Sequence, residues 1–301
     1  MKTVVVTGAT GFIGGQFAKY LLSQNYQVYA VVRNPKKLDF EHPNLKVVKA
    51  DFLEYQTLFE QIPHADFFYH FAWNGAYGQA TADYKIQLDN VYHTCEALYQ
   101  AIKMNCKKFI LAGTVAELEV IEHIEKNICT PRGTCIYAAA KLNAEMMCKT
   151  IAKANNIEFN CGLFANIVGP GDCSQRSTNF ILNKFIHGEA PKLVEGVAKN
   201  DWLYIDDAVR LIHAMGEHGL NMKTYYIGHT NLWSLREIIT KARDIVAPEI
   251  TLKFGELPDS FITNYKYIST TALYEDTGAK AEYPFEDAMK KTAEWVKSLN
   301  F

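Results

Sequence analysis

The chain has 301 residues, enough for one large α/β domain or one such domain with a smaller lobe, and 49% of them are hydrophobic, so it can bury a sizeable core. Its 31 Lys and Arg nearly balance 33 Asp and Glu, for a formal net charge of −2, which excludes both a basic field for nucleic acid or anionic lipid and an acidic tail that would mimic them. The seven cysteines (Cys95, Cys106, Cys129, Cys135, Cys148, Cys161 and Cys173) form no Cys-x-x-Cys pair, which argues against a disulfide framework and a structural zinc site and reads as reduced, mostly buried thiols.

The opening residues, MKTVVVTGATGFIGG, are apolar only over a strand length and reach glycine almost at once, unlike a signal peptide. No later stretch approaches the roughly 20 apolar residues of a membrane helix. The expectation is a cytoplasmic protein with no membrane or nucleic-acid partner and no metal.

In chain order, Thr3 to Thr7, Gln27 to Val32, Lys46 to Ala50, Asp66 to Phe71, Lys108 to Ala112 and Glu158 to Phe164 are β-branched or aromatic runs that predict strands, with helix-length segments between them. Strands alternating with helices imply right-handed βαβ units and a Rossmann-type, doubly wound parallel sheet. After about Gly169 the rhythm gives way to loops rich in Gly, Pro, Asp and Asn. The division expected is a dinucleotide-binding domain over 1–168 and a small C-terminal substrate-binding lobe over 169–301, with some segments returning to the sheet.

The first strand runs directly into Gly8-Ala9-Thr10-Gly11-Phe12-Ile13-Gly14, a Gly-x-x-Gly-x-x-Gly turn that opens a helix. Glycines let backbone N–H groups approach a pyrophosphate, whose charge the helix N-terminus stabilises. About 20 residues on, where an acidic residue would hold the ribose 2′-hydroxyl of NAD, stands Arg33, followed by Asn34, Lys36 and Lys37. A guanidinium there can pair with the 2′-phosphate of NADP, so NADP(H) is the expected cofactor and NAD(H) the alternative. Asp51 and Phe52, after the third strand, are candidates for the adenine edge, although a strand-end Asp also caps helices.

Two Tyr-x-x-x-Lys patterns occur. Tyr99/Lys103 comes late in a helix and reads as packing plus solvated charge. Tyr137/Lys141 begins a long helical stretch after the turn-rich Cys129-Thr130-Pro131-Arg132-Gly133-Thr134, and the four-residue spacing puts phenol and ammonium on one face. A close Lys⁺ favours a phenolate, and a phenol that exchanges protons near neutral pH can act as acid or base. Thr114, just past the fifth strand, would orient a substrate oxygen.

Over essentially its whole length the sequence resembles the extended short-chain dehydrogenase/reductases, in particular the nucleotide-sugar epimerase, dehydratase and reductase group. The segments that carry the resemblance are Thr7 to Gly15, Asp66-Phe67-Phe68-Tyr69-His70-Phe71-Ala72, Asn90, Thr114, Tyr137 with Lys141, Asn166 with Gly169-Pro170-Gly171-Asp172, and Asp201 to Asp207. It implies Tyr137 as general acid or base, Lys141 as its pKa partner and ribose anchor, and Thr114 as donor to the reacting oxygen. It further implies Asn90 as the helix asparagine of the catalytic tetrad, more structural than chemical. Phe71 and Ala72 would lie against the cofactor, and Asn166 at the substrate mouth. Three positions depart from the pattern: Leu163, Val168 and Asn200 replace an Arg, a Tyr and an Arg that bear on substrate. Arg176 is the remaining candidate for a diphosphate clamp, with Asn179 and Phe180 as candidate nucleotide contacts.

Within that group a 4,6-dehydratase carries Asp-Glu directly after its catalytic Thr; here Val115-Ala116 follow and Glu117 is displaced, which sets dehydration aside. Arg33 favours an enzyme that consumes NADPH. The leading expectation is a reductase of the 4-keto group of a nucleotide-linked, 6-deoxy sugar, with Tyr137 as general acid. Alternatives are an NAD-dependent nucleotide-sugar 4-epimerase, a reductase of a carbonyl compound lacking a nucleotide, and a non-catalytic dinucleotide sensor, which would have no need of Thr114, Tyr137 and Lys141 together. The resemblance also suggests a homodimer through the helices around Ala82 to Met104 and Tyr137 to Asn155; the other reading is that both helices cover the sheet of a monomer.

Overall fold

The structure is a computed structural model that describes residues 1–127, 131–258 and 263–299. Eleven strands are present among the described residues. Six of them, β1 (Thr3–Thr7), β2 (Gln27–Val32), β3 (Leu45–Lys49), β4 (Phe67–His70), β5 (Lys108–Thr114) and β6 (Glu158–Phe164), form one parallel sheet in the order β3-β2-β1-β4-β5-β6. Four short strands follow: β7 (Asn166–Val168), β8 (Lys199–Asn200), β9 (Trp202–Tyr204) and, after a gap, β11 (Trp233–Ser234); between the last two, β10 (Thr224–Ile227) returns to pair with β6 as the seventh strand of the sheet.

The helices are α1 (Phe12–Ser23), α2 (Leu58–Gln61), α3 (Tyr84–Lys103), α4 (Glu117–Lys126), α5 (Cys135–Ala154), α6 (Ser177–Ile186), α7 (Ile205–His218), α8 (Leu235–Val246), α9 (Ala272–Thr277) and α10 (Phe285–Ser298). Val4, Val5 and Val6 of β1 are wholly buried, as a strand between two helical layers must be. One apolar layer joins α1 and α7 to the sheet and runs on into the lobe of α6, α8 and α10. The other places α3 and α5 on the opposite face.

The strand order reverses between β1 and β4, and the crevice beyond their carboxyl ends is where such sheets bind ligands. The glycine turn and Phe71-Ala72 lie there. The observed strands match the predicted ones within a residue or two. β5 differs usefully: it continues through Gly113 to Thr114, still in register with Leu163 and Phe164 of β6, so Thr114 ends the strand instead of following it. No helix among the described residues is long and apolar enough to cross a membrane.

Candidate active site

At the end of β1 the backbone turns at Gly8 with φ of 71°, a left-handed conformation that glycine adopts without strain. A Cβ at Gly8 would also sit 2.9 Å from the Ala72 nitrogen, so this turn and the end of β4 are packed backbone to backbone. Gly11 closes the turn through its N–H to the Gly8 carbonyl at 2.9 Å and is the N-cap of α1. No side chain caps α1 and its first turn, with Phe12, Ile13 and Gly14, carries no acidic residue. Those unsatisfied N–H groups and the positive end of the helix dipole fit a pyrophosphate.

Beneath the turn, His70 is buried, with Nδ1 2.9 Å from the Thr7 hydroxyl and Nε2 3.2 Å from that of Thr94. Burial pulls its pKa down to about 3, so the ring is a neutral brace between β1, β4 and α3. Arg33 stands exposed just past β2, ahead of a short 3-10 turn at Pro35–Lys37 that Asn34 caps. Asp51 accepts from the Phe52 N–H at 2.8 Å and forms a capping box with Glu54, so its carboxylate serves the turn that begins at Phe52. Phe52 is buried and stacks on His93. Phe71 and Ala72 are half-buried at the mouth of the crevice. Asn90 spends its amide on the backbone: it accepts from Asn74 N–H at 2.7 Å and donates to the carbonyls of Asn74 and Ile86, tying the loop after β4 to α3.

Thr114, Tyr137 and Lys141 converge beside this loop. The Thr114 hydroxyl accepts from Ala116 N–H at 3.3 Å and is close enough to the Tyr137 phenol to lower its proton affinity. Desolvation outweighs that and pushes Tyr137 up to about 12. Lys141 is buried, donates to the Ala112 carbonyl at 2.8 Å and stands 3.7 Å above the Trp73 ring, which meets Tyr137 edge-on. Burial lowers its pKa to about 8, a pull that Glu117 opposes. Thr114 and, after it, Arg176 are the neighbours that oppose the desolvation of Tyr137, while the Lys141 ammonium contacts Ala112 and Trp73. The second pair is separate: Tyr99 is exposed and Lys103 lies over the Phe59 ring.

On the lobe side several expectations change. Asn166 donates to Asn200 Oδ1 at 3.0 Å and to the Asp201 carbonyl at 3.3 Å, fastening β7 to the segment that joins β8 to β9. Arg176 donates to Asp172 at 2.8 Å, Ser174 at 3.0 Å and the Ile167 carbonyl at 3.4 Å, so much of its fork is already engaged. Asn179, expected as a nucleotide contact, is wholly buried and donates to the carbonyls of Asp172 and Ser174. Phe180, by contrast, is exposed.

Two features had no sequence signal of sufficient strength. Glu117, at the start of α4, is buried and accepts from the Thr114 N–H at 2.7 Å. Behind it, donor atoms of Glu119, His123 and Cys135 lie within 4.8 Å of one another, and only the i,i+4 spacing of the first two was visible in advance. Arg132 takes both Glu119 oxygens, at 2.8 and 2.7 Å. Six of the cysteines are free thiols; Cys129 lies outside the described residues, as does the Thr130 end of its turn.

Residues 4–228 match the model of the NAD dependent epimerase/dehydratase family. Among curated relatives, a trifunctional UDP-glucose 4,6-dehydratase/UDP-4-keto-6-deoxy-D-glucose 3,5-epimerase/UDP-4-keto-L-rhamnose-reductase of Arabidopsis thaliana is 25% identical over 98% of this chain and 47% of its own length. The chain thus spans about half of that relative. The low-salt glycan biosynthesis protein Agl12 of Haloferax volcanii is 22% identical over 97% of each chain. Among solved structures, the UDP-glucose 4-epimerase of Thermotoga maritima with UDP-glucose superposes with a TM-score of 0.79 at 19% identity, covering 98% of this chain and 99% of that one. That last likeness is one of fold.

Proposed function

The chain belongs to the NAD dependent epimerase/dehydratase family, and on that premise we propose that it is an NADPH-consuming reductase of the 4-keto group of a nucleotide-linked, 6-deoxy sugar. The observation that carries the choice is Arg33, exposed at the end of β2 where an NAD-retaining enzyme has its acidic ribose ligand. The glycine turn and the uncapped N-terminus of α1 would hold the pyrophosphate, and Arg33 the 2′-phosphate. Bound there, the dinucleotide supplies a hydride.

The side chains then have a coherent division of labour. With its pKa near 12, Tyr137 is protonated at neutral pH, the state in which it can donate to the oxygen of a carbonyl under reduction. Thr114 orients that oxygen. Lys141, near 8, keeps most of its charge at neutral pH and loses it above, so the rate should fall as pH rises through about 8. Glu117 is buried and holds the Thr114 N–H, which supports setting dehydration aside. Replacement of Tyr137 by Phe is expected to lower kcat by about 10²- to 10⁴-fold with dinucleotide titration unchanged.

The second reading, an NAD-dependent nucleotide-sugar 4-epimerase, is favoured by the fold match to the Thermotoga maritima enzyme. Two assays separate them: mass spectrometry of the dinucleotide released from purified protein, and NADPH oxidation with nucleotide-linked 4-keto-6-deoxy sugars. Weak retention with keto-sugar-dependent NADPH oxidation supports the reductase. Near-stoichiometric bound NAD and no net consumption would replace it with the epimerase.

A homodimer is part of the same proposal. Leu88, Tyr92 and Tyr99 on α3 and Met146 and Met147 on α5 are large apolar side chains left exposed on neighbouring helices. Light scattering on the Tyr92→Glu, Met147→Glu double variant should report a monomer; an unchanged mass would remove this face from the proposal.

A further inference from the structure

Glu117 is only 1% exposed, yet it touches the backbone of a candidate catalytic residue. One oxygen accepts from the Thr114 N–H; the other is buried and receives no donor among the described residues. The preceding residue is glycine for a related reason: a Cβ at Gly113 would lie 2.8 Å from this carboxyl and 2.8 Å from the Cys161 sulfur. An ionised carboxylate with a buried oxygen that receives no donor is strongly disfavoured. A protonated one needs an acceptor, and Glu145 of α5 lies close enough to bond it. Glu145 in turn accepts from the Lys149 ammonium at 2.5 Å and from the Thr224 hydroxyl.

Lys141 completes the arrangement. In an extended strand the carbonyl of one residue and the N–H of the residue two further on face the same side. Lys141 takes the Ala112 carbonyl and Glu117 takes the Thr114 N–H, so ammonium and carboxyl together finish one edge of β5 where no strand remains to pair with it. Were Glu117 ionised, it would hold the Lys141 charge for itself.

We propose that Glu117 is a positioning residue, kept as a neutral carboxylic acid that donates to Glu145, which seats Thr114 while leaving the Lys141 charge free for Tyr137 and the cofactor ribose. Burial, with the negative charge of Glu145 second, drives its proton affinity in that direction, against the opposing pull of the Thr114 N–H and Lys141; Tyr137 and Cys161 are the other titratable groups that feel it. The kinetic consequence rests on the reductase reading; the protonation state does not.

Two measurements test it. Infrared spectra of the whole protein at neutral pH should contain a carboxylic-acid carbonyl band that disappears in Glu117→Gln and shifts in Glu145→Gln. In turnover, Glu117→Gln, which resembles the neutral acid, should stay within about threefold of the parent kcat with an unmoved alkaline limb, whereas Glu117→Ala should lose about tenfold or more. No such band, or a Glu117→Gln variant whose alkaline limb moves down because Lys141 has lost a counter-charge, would overturn the proposal. If no keto-sugar is turned over by the parent protein, the reductase reading fails alone and the infrared band still decides.

Discussion

The glycine turn at the head of α1 and the loop before α6 touch, through Gln16, whose amide donates to the Pro170 carbonyl, but they leave their polar groups in opposite states. In the turn, backbone N–H groups are left open, with neither a capping side chain nor an acidic residue nearby. In the loop, Asp172, Ser174 and Arg176 bond one another and Asn179 gives its amide N–H groups to the loop carbonyls, leaving only its Oδ1 without a partner among the described residues. A site made of backbone is declared by the glycines it requires. A site made of side chains is not, because the same residues can pair with each other as readily as with a ligand.

Breaking the open side should have the largest effect. Gly8→Val places a β-branched side chain at positive φ and against the Ala72 backbone, and should reduce dinucleotide affinity by at least about 10²-fold together with thermal stability. Arg33→Asp removes one charge-assisted contact and installs the residue type NAD prefers. The ratio of NADPH to NADH affinity should fall by about 10- to 150-fold, measured by titration of each, and an unchanged ratio would remove Arg33 as a phosphate reader.

On the closed side, Arg176→Ala strips the buried Asp172 carboxylate of its cation, so a loss of about 1–3 kcal/mol is expected in denaturant unfolding. If stability holds and only the KM for nucleotide sugar rises, the loop is open to ligand and the contrast collapses. The smallest effect lies beneath the turn. His70, held down to about 3, refuses a proton that the unfolded chain accepts below about 6.5, so its contribution fades as pH falls between those values. The slope is at most about 1.4 kcal/mol per pH unit, and His70→Asn should flatten that part of the stability profile.

The same contrast explains what the sequence made legible. β1, its glycine turn and α1 follow from a buried valine run and three glycines, and α5 from its alanines, so the fold and the cofactor side were open to reading. The end of β5 was misjudged because Gly113 looks like a strand breaker until Glu117 is seen to need the space. Arg176 and Asn179 carry no local sign of whether Asp172 or a ligand will claim them. Lys141 sits at the expected spacing, but its direction depends on Trp73, a contact from a distant loop.

β10 has a consequence for synthesis and handling of the chain. Because the seventh strand arrives from residues 224–227, β6 remains an edge strand until those residues have been made. A fragment ending at Val168 would carry the glycine turn with an unpaired row of β6 N–H and carbonyl groups, a template for other chains. Folding must therefore wait on a long-range pairing, which slows it and exposes an aggregation-prone intermediate. A fragment meant to keep the sheet whole would therefore run through β10, the strand that covers the β6 edge.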